Sequence, residues 1–238
     1  MNLKKNILAI ILARGGSRGV KKKNIKKLNG KPLIYYTINE VKKSKIFKNI
    51  IVSTENNEIA KVAKSYGAEV PFLRPKKFAT DRAKAIDAIY YTFKKAEKLY
   101  NIKYDYIIEV MCTNPFKSYK DIRNVAKIQI KTKADSVIAV TKLEDHHPIR
   151  IKKVIKGKIV NFCLNEITES RRQDLKPDAY IRCGSIYSMR REMLQKKIRY
   201  GTKNSRAYIM PNERVVNIDT KRDFEFAEYL IKKNEKKI

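Results

Sequence analysis

The hydrophobic positions along the chain predict strands and helices in alternation. Ile7–Ala13 is a continuous apolar run, which is typical of a central strand covered on both faces. Apolar residues follow Pro32 at helical spacing, and residues 83–100 form a longer amphipathic helical pattern. Further strands are predicted at 50–53, 69–73, 106–110 and 136–140, and further helices at 56–66 and 118–130. The alternation predicts a mostly parallel sheet with helices on both faces, in a single α/β domain over residues 1–238.

The pattern changes after residue 140. Ile149–Phe162 predicts a β-hairpin that turns near Lys156-Gly157-Lys158, and the segment that follows it is polar and without periodicity. We therefore assign residues 145–183 to an insertion in the domain. Short strands are predicted at 185–189, 207–210 and 215–218, and a last helix is predicted to begin near Thr220 and Asp223, which form a near capping box.

The net charge is strongly positive, because 55 Lys and Arg residues face only 24 Asp and Glu residues. Such a charge is found in nucleic-acid-binding proteins, which neutralise phosphates with basic side chains. Here the lysines are spread over nearly every predicted helix and loop, and no known nucleic-acid-binding motif occurs. The charge therefore favours attraction of small anions such as nucleoside triphosphates, and a nucleic-acid-binding protein stays as the alternative from another class.

The cysteines and the hydropathy pattern indicate the compartment. Cys112, Cys163 and Cys183 are odd in number and widely spaced, so they match neither a zinc site nor a disulfide framework. Free thiols are typical of a reducing cytoplasm, where we expect this protein. No apolar stretch approaches the roughly 20 residues that a membrane-spanning helix needs.

The loop after the first strand carries the strongest chemical signal. Ile11–Gly19 ends in Arg-Gly-Gly-Ser-Arg-Gly, and Lys21-Lys22-Lys23-Asn24 follow. Glycines let backbone N–H groups approach phosphates closely, and basic side chains offset the phosphate charge. The loop has neither the Gly-Lys-Ser/Thr ending of a Walker A motif nor the spacing of a dinucleotide fingerprint. It predicts a phosphate-binding loop of another kind.

The order and spacing of several motifs resemble those of the acylneuraminate cytidylyltransferases, over nearly the whole chain. Besides the loop, these motifs are Gly30–Leu33, Ile51–Thr54, Arg74-Pro75, Thr113–Lys117, His146–Pro148, Arg172–Leu175, Gly184–Tyr187 and Val216–Thr220. The resemblance implies a Rossmann-like nucleotidyltransferase fold that takes CTP and an acidic sugar, requires Mg²⁺ and releases pyrophosphate. It also implies a homodimer, in which the hairpin and the segment after it reach toward the partner.

The resemblance further implies roles for individual residues. Arg14, Gly15, Gly16, Ser17, Lys23, Asn24 and Thr113 would hold the nucleotide, and Arg172, Gln173 and Tyr187 would meet the sugar. Arg14 and Lys23 would be catalytic, because positioning and charge neutralisation provide most of the catalysis of phosphoryl transfer. Asp219 would bind the metal, although its place before Thr220 also allows a helix-capping role.

The chain departs from the family pattern at positions that bear on specificity. Asn217 stands where many members have a first metal-segment Asp, and Met111 stands where many have Gln. Ala85 lies in a segment that often carries serines. The sugar therefore stays open among N-acetylneuraminate, legionaminate, pseudaminate and the eight-carbon acid Kdo.

Overall fold

A computed structural model describes residues 5–165 and 171–235 of the chain. The strands are β1 (Ile7–Leu12), β2 (Lys27–Leu28), β3 (Lys31–Pro32), β4 (Asn49–Ser53), β5 (Tyr106–Val110), β6 (Ser136–Lys142), β7 (Lys152–Ile155), β8 (Lys158–Asn161), β9 (Tyr180–Arg190) and β10 (Ser205–Ile209). The helices are α1 (Leu33–Ser44), α2 (Asn57–Ser65), α3 (Ala85–Tyr100), α4 (Tyr119–Thr132), α5 (Arg191–Gln195) and α6 (Lys221–Glu235).

The central sheet of the described residues has the strand order β10-β6-β9-β5-β1-β4. β9 runs antiparallel to β5 and β6, and the other neighbouring pairs are parallel. The prediction of a mostly parallel sheet is confirmed. β9 spans 11 residues, so it extends beyond both ends of the predicted 185–189 strand.

The apolar run of β1 is explained by cores on both faces of the sheet. Ile7, Ala9 and Ile11 pack with residues of α1, α2 and α4, whereas Leu8 and Ile10 pack with residues of α3 and α5. Successive side chains of a strand point to opposite faces, so a strand covered on both sides needs an apolar residue at every position.

Two of the predicted strands are wrong. In the segment 69–73, only Glu69 joins the sheet, through a single bridge to Ile51, and Pro71 cannot donate a backbone hydrogen bond to extend the pairing. In the segment 215–218, the N–H of Ile218 donates to the carbonyl of Thr113 at 2.8 Å, but no strand forms. This bond nevertheless ties the segment before α6 to the loop after β5.

The predicted hairpin is present as β7 and β8, which pair with each other in a separate two-stranded sheet. Lys156 and Gly157 both have positive φ angles at its turn, as a two-residue hairpin loop requires. Residues 166–170 of the predicted polar segment lie outside the described residues. Across the described ranges, no helix combines the length and the apolar character that crossing a bilayer requires.

Candidate active site

A cleft of about 460 Å³ lies where β1 and β5 end at their carboxyl edge, the usual place for ligands in open α/β sheets. Its wall includes six residues that the sequence assigned to the nucleotide or the metal: Arg14, Ser17, Lys23, Asn24, Thr113 and Asp219. These residues come from three separate parts of the chain. The fold therefore brings most of the predicted nucleotide site together.

Hydrogen bonds that involve Glu55 and Arg74 support the conformation of the glycine loop. The N–H of Gly15 donates to Glu55 Oε1 at 2.6 Å, and a Cβ on Gly15 would lie 2.9 Å from the Asn56 side-chain nitrogen. The second oxygen of Glu55 accepts from the buried guanidinium of Arg74 at 3.1 Å. Gly15 and Gly16 do not line the cleft, unlike Arg14 and Ser17 on either side of them. This supporting role of Glu55 was not predicted from the sequence, although Glu55 follows β4 at the same edge of the sheet.

The two arginines of the loop share one carboxylate. Arg14 and Arg18 both donate to Asp81, at 2.8 Å and 2.7 Å, and all three residues line the cleft. Desolvation opposes ionisation of Asp81, but the hydrogen bonds from Arg18 and Arg14 outweigh it and lower the pKa of this carboxyl. The loop thus offers two guanidinium groups that an incoming polyanion can attract away from Asp81.

Lys23 differs from the other lysines of its run. Its side chain is only 13% exposed, and its ammonium donates to Asp219 Oδ1 at 3.0 Å and to the carbonyl of Ile218 at 2.8 Å. Lys21 and Lys22 are exposed, and Lys22 pairs with Glu58 on the surface. The structure therefore directs one lysine of the run into the cleft and leaves its neighbours in solvent.

Asp219 is not the cap of α6. Thr220 and Asp223 cap that helix with each other, because Asp223 Oδ2 accepts from the Thr220 N–H at 2.7 Å and Thr220 Oγ1 accepts from the Asp223 N–H at 3.2 Å. The Asp219 side chain is 61% exposed, and its second oxygen accepts from Asn217 Nδ2 at 2.5 Å. The helix-capping alternative for Asp219 is therefore wrong.

Asp219 fits a metal site that has a single protein carboxylate. Among the residues that the structure describes, no group of three or more His, Cys, Asp or Glu side chains is arranged to hold a metal. Mg²⁺ can be held by one or two carboxylates together with substrate phosphates and water. The exposed carboxylate of Asp219 in the cleft wall meets this requirement, whereas Asn217 adds no charge.

The loop after β5 rests on a buried lysine that the sequence reasoning missed. Lys117 is almost completely buried, and its ammonium donates to Thr37 Oγ1 at 2.8 Å and also to the carbonyl of Asn114. Burial lowers the pKa of Lys117 to about 8. The loop it supports carries Thr113, whose carbonyl binds the segment before Asp219. Lys117 therefore helps to fix the distance between two walls of the cleft.

The predicted sugar residues do not lie in this cleft. Arg172 and Gln173 line a separate cleft of about 310 Å³, and Arg172 forms an ion pair with Asp145 at 2.5 Å. Tyr187 is only 4% exposed, and the guanidinium of Arg199 lies 4.0 Å from the centre of its ring. Within one chain, the structure therefore does not bring these three residues into the nucleotide cleft, and their contact with the sugar stays a prediction.

Comparison with known proteins identifies the family. The family model described as Cytidylyltransferase matches residues 8–238. The post-translational flagellin modification protein B of Campylobacter coli is 34% identical, with 95% of each chain covered. The CMP-N,N′-diacetyllegionaminic acid synthase of Campylobacter jejuni is 32% identical, with 94% of each chain covered.

The fold has a counterpart among solved structures. The structure of CMP:2-keto-3-deoxy-manno-octonic acid synthetase complexed with CTP superposes with a TM-score of 0.72, at 15% identity, over 96% of this chain and 99% of that one. At this identity the likeness shows the fold, and the family assignment depends on the sequence match. The chain is a nucleotidyltransferase and belongs to the cytidylyltransferase family.

Proposed function

We propose that this cytidylyltransferase transfers CMP from CTP to the anomeric hydroxyl of a nonulosonic, sialic-acid-like sugar acid and releases pyrophosphate. The observation that carries the proposal is the cleft in which Lys23 and Asp219 face the Arg14–Gly19 loop. The family match supports the cytidylyl donor, and a relative named as a CMP-N,N′-diacetyllegionaminic acid synthase supports a nonulosonic acceptor.

The triphosphate would lie along the basic side of the cleft. The loop contributes the guanidinium groups of Arg14 and Arg18, with the hydroxyl of Ser17 between them in sequence, and Arg74 also lines the cleft. A triphosphate that binds both arginines would displace Asp81 from its two ion pairs. The cleft wall also includes the small residues Ala83, Ala85 and Ala88, which leave room for a pyrimidine ring.

Lys23 would act on the reacting phosphorus. In-line attack by the sugar hydroxyl on the α-phosphorus expels pyrophosphate, and negative charge spreads over the phosphoryl oxygens in the transition state. The Lys23 ammonium lies in a partly buried site and donates to the Ile218 carbonyl, a bond that does not depend on Asp219, so it needs little reorganisation to stabilise that charge. Mg²⁺ held by Asp219 and the phosphates would supply further charge neutralisation.

In a homodimer, the hairpin and Arg172 would lie at the interface between the two copies. The hairpin exposes Val154 and Ile159 to 70% and 72%, and Phe162 beside it to 61%. Contiguous exposed apolar side chains of this kind mark interaction surfaces. We infer that a second copy covers them, in accord with the dimer that the family resemblance implies. Arg172 and Gln173, which follow the hairpin in sequence and line a separate cleft with His147, would then face the partner.

A pyrophosphate-release assay tests the proposal. The purified protein is offered CTP, UTP, ATP or GTP with each of N-acetylneuraminic, N,N′-diacetyllegionaminic, pseudaminic and Kdo acids. We expect release with CTP and at least one nine-carbon acid, and no release without a sugar. Faster release with UTP or GTP for every acid would refute the cytidylyl assignment, and faster release with Kdo than with all nine-carbon acids would refute the choice of sugar class.

A further inference from the structure

A second cleft, of about 450 Å³, shares Gly19 with the nucleotide cleft, and we call it the Lys21 cleft. Its wall comes from three parts of the chain. These are the end of the glycine loop with the turn that follows it, the first turn of α2 through Glu58, and the first residue of α6, Lys221. Apart from Gly19, the wall has no residue in common with the nucleotide cleft.

The wall of the Lys21 cleft has an excess of positive charge. It contains one carboxylate, Glu58, and four lysines: Lys21, Lys22, Lys26 and Lys221. Glu58 pairs with Lys22 at 2.8 Å, and Lys221 pairs with Glu225 at 3.5 Å in solvent. Among the contacts that the structure describes, neither Lys21 nor Lys26 has a carboxylate partner. Exposed ion pairs are screened by water and salt, so most of the positive charge stays available to a ligand.

The wall also contains hydrogen-bond donors and apolar groups. The ammonium of Lys26 lies 4.5 Å from the centre of the Phe224 ring, and this cation–π contact holds the charge beside the cleft. The backbone N–H groups of residues 19–22 donate to no acceptor among the described residues. Val20 and Ile25 supply apolar surface in the same wall. The cleft therefore combines free donors and cations with a smaller apolar area.

We propose that the Lys21 cleft binds a multiply charged phosphate anion, either free pyrophosphate or the triphosphate of a second nucleotide. Four lysines against one carboxylate match an anion of several charges, whereas a single carboxylate ligand would leave most of the excess uncompensated. Phosphate oxygens accept hydrogen bonds from ammonium groups and from backbone N–H groups, which are the donors present here. Val20 and Ile25 would be covered only if the ligand also has an organic part.

The two clefts are coupled through the backbone. Gly19 packs so closely on Asp219 that a Cβ there would lie 1.9 Å from the carbonyl oxygen of Asp219. Lys22 directly precedes Lys23, and Lys221 follows Asp219 by two positions. An anion held by Lys22 and Lys221 would therefore act on the backbone that carries Lys23 and Asp219. Two polyanions in adjoining clefts repel each other, so each should weaken the binding of the other.

Equilibrium dialysis with labelled pyrophosphate, without any sugar, tests the site. The wild-type protein should bind two pyrophosphates per chain, one in each cleft, and the second should bind at most about 100-fold more weakly than the first. In the variant Lys21→Gln/Lys26→Gln/Lys221→Gln the second site should weaken about 10-fold to 100-fold, because each exposed charge contributes about twofold to fivefold. The first site should stay within about threefold of the wild type, since none of the three lysines lines the nucleotide cleft.

The matched control removes three other exposed lysines. Lys94→Gln/Lys95→Gln/Lys98→Gln changes the net charge equally on α3, which packs on the opposite face of the sheet from α2. This variant should bind two pyrophosphates as the wild type does. A single pyrophosphate per wild-type chain, or a second site that weakens equally in both triple variants, overturns the proposal.

The same dialysis with labelled CTP distinguishes the two sources of phosphate. Two CTP molecules per wild-type chain, and one in the Lys21→Gln/Lys26→Gln/Lys221→Gln variant, would show that the cleft accepts a nucleotide. One CTP in both proteins, together with two pyrophosphates in the wild type, would assign the cleft to the free anion.

Kinetics provide a second readout, which rests on the proposed function. If two pyrophosphates inhibit, the reciprocal rate at fixed CTP should curve upward with pyrophosphate concentration in the wild type and rise linearly in the Lys21→Gln/Lys26→Gln/Lys221→Gln variant. A straight line in the wild type overturns the coupling between the clefts. A protein that binds two pyrophosphates but uses none of the sugar acids with CTP would refute the proposed function and leave the Lys21 cleft intact.

Discussion

Gly19→Ala should push the backbone of Asp219 away from the glycine loop. A Cβ on Gly19 would lie 1.9 Å from the backbone carbonyl oxygen of Asp219 and 3.1 Å from its carbonyl carbon. The obstructing atoms belong to the backbone, so no side-chain rotation can relieve the clash. The oxygen would have to retreat to at least 3.4 Å to regain ordinary contact, which moves Asp219 by more than an ångström relative to Lys23.

The magnitude of the effect follows from that displacement. Overpacking costs about 1–3 kcal/mol of stability, and we expect the upper end because backbone must move. For a chain of this size, about 3 kcal/mol lowers Tm by roughly 6–12 °C. A misplacement of about 1 Å in a catalytic arrangement costs about 100-fold in rate, so kcat/KM should fall by about that factor.

The assay combines pyrophosphate release at saturating CTP with thermal melting. Gly16→Ala is the matched control for the fold, because a Cβ there has no atom within 4 Å and should leave Tm within about 2 °C of the wild type. If Gly19→Ala melts like Gly16→Ala and keeps full activity, the close packing of the loop on Asp219 is refuted.

Three further substitutions test the site and the assembly. In steady-state kinetics, Lys23→Ala should lower kcat by about 100-fold or more and change the KM for the sugar far less. Unchanged turnover would mean that Lys23 is one of the solvated lysines. Asp219→Asn should abolish Mg²⁺-dependent activity but shift Tm by less than about 2 °C, because Thr220 and Asp223 cap α6 and the Asp219 carboxylate is exposed; full activity at ordinary Mg²⁺ would place the metal elsewhere. Ile159→Asp on the hairpin should convert a dimer into a monomer in sedimentation experiments, and a variant that sediments like the wild type would exclude the hairpin as the interface.

Local sequence patterns predicted the elements that depend on local physics. β1 was evident from its apolar run, and the helices predicted at 56–66 and 118–130 do begin after Asn56 and Ser118, whose side chains accept backbone hydrogen bonds of the first turn. The segments 69–73 and 215–218 resemble strands in composition, but the first joins β4 through a single bridge at Glu69 and the second binds the loop after β5 through the N–H of Ile218, so neither forms a strand. α5 and the short β2–β3 pair are too short to show periodicity.

The meeting of the predicted nucleotide and metal residues in one cleft could be anticipated, because these residues are close together in sequence or belong to ordered motifs. Contacts between distant parts of the chain could not. Arg199 and Glu109 are 90 positions apart, and no local pattern connects a charged residue in a strand with one in a distant loop. Arg172 was inferred from a motif alone, and the motif does not reveal that Asp145 already pairs with it or that its cleft is separate.

The identity of the product tests the central claim most directly. All four nucleoside triphosphates are supplied at equal concentration with Mg²⁺ and the preferred sugar acid, and the products are identified by mass spectrometry. We expect a CMP–sugar conjugate as the dominant product, with one pyrophosphate formed for each conjugate. A dominant conjugate with another nucleotide, or pyrophosphate formed without any conjugate, would contradict the assignment.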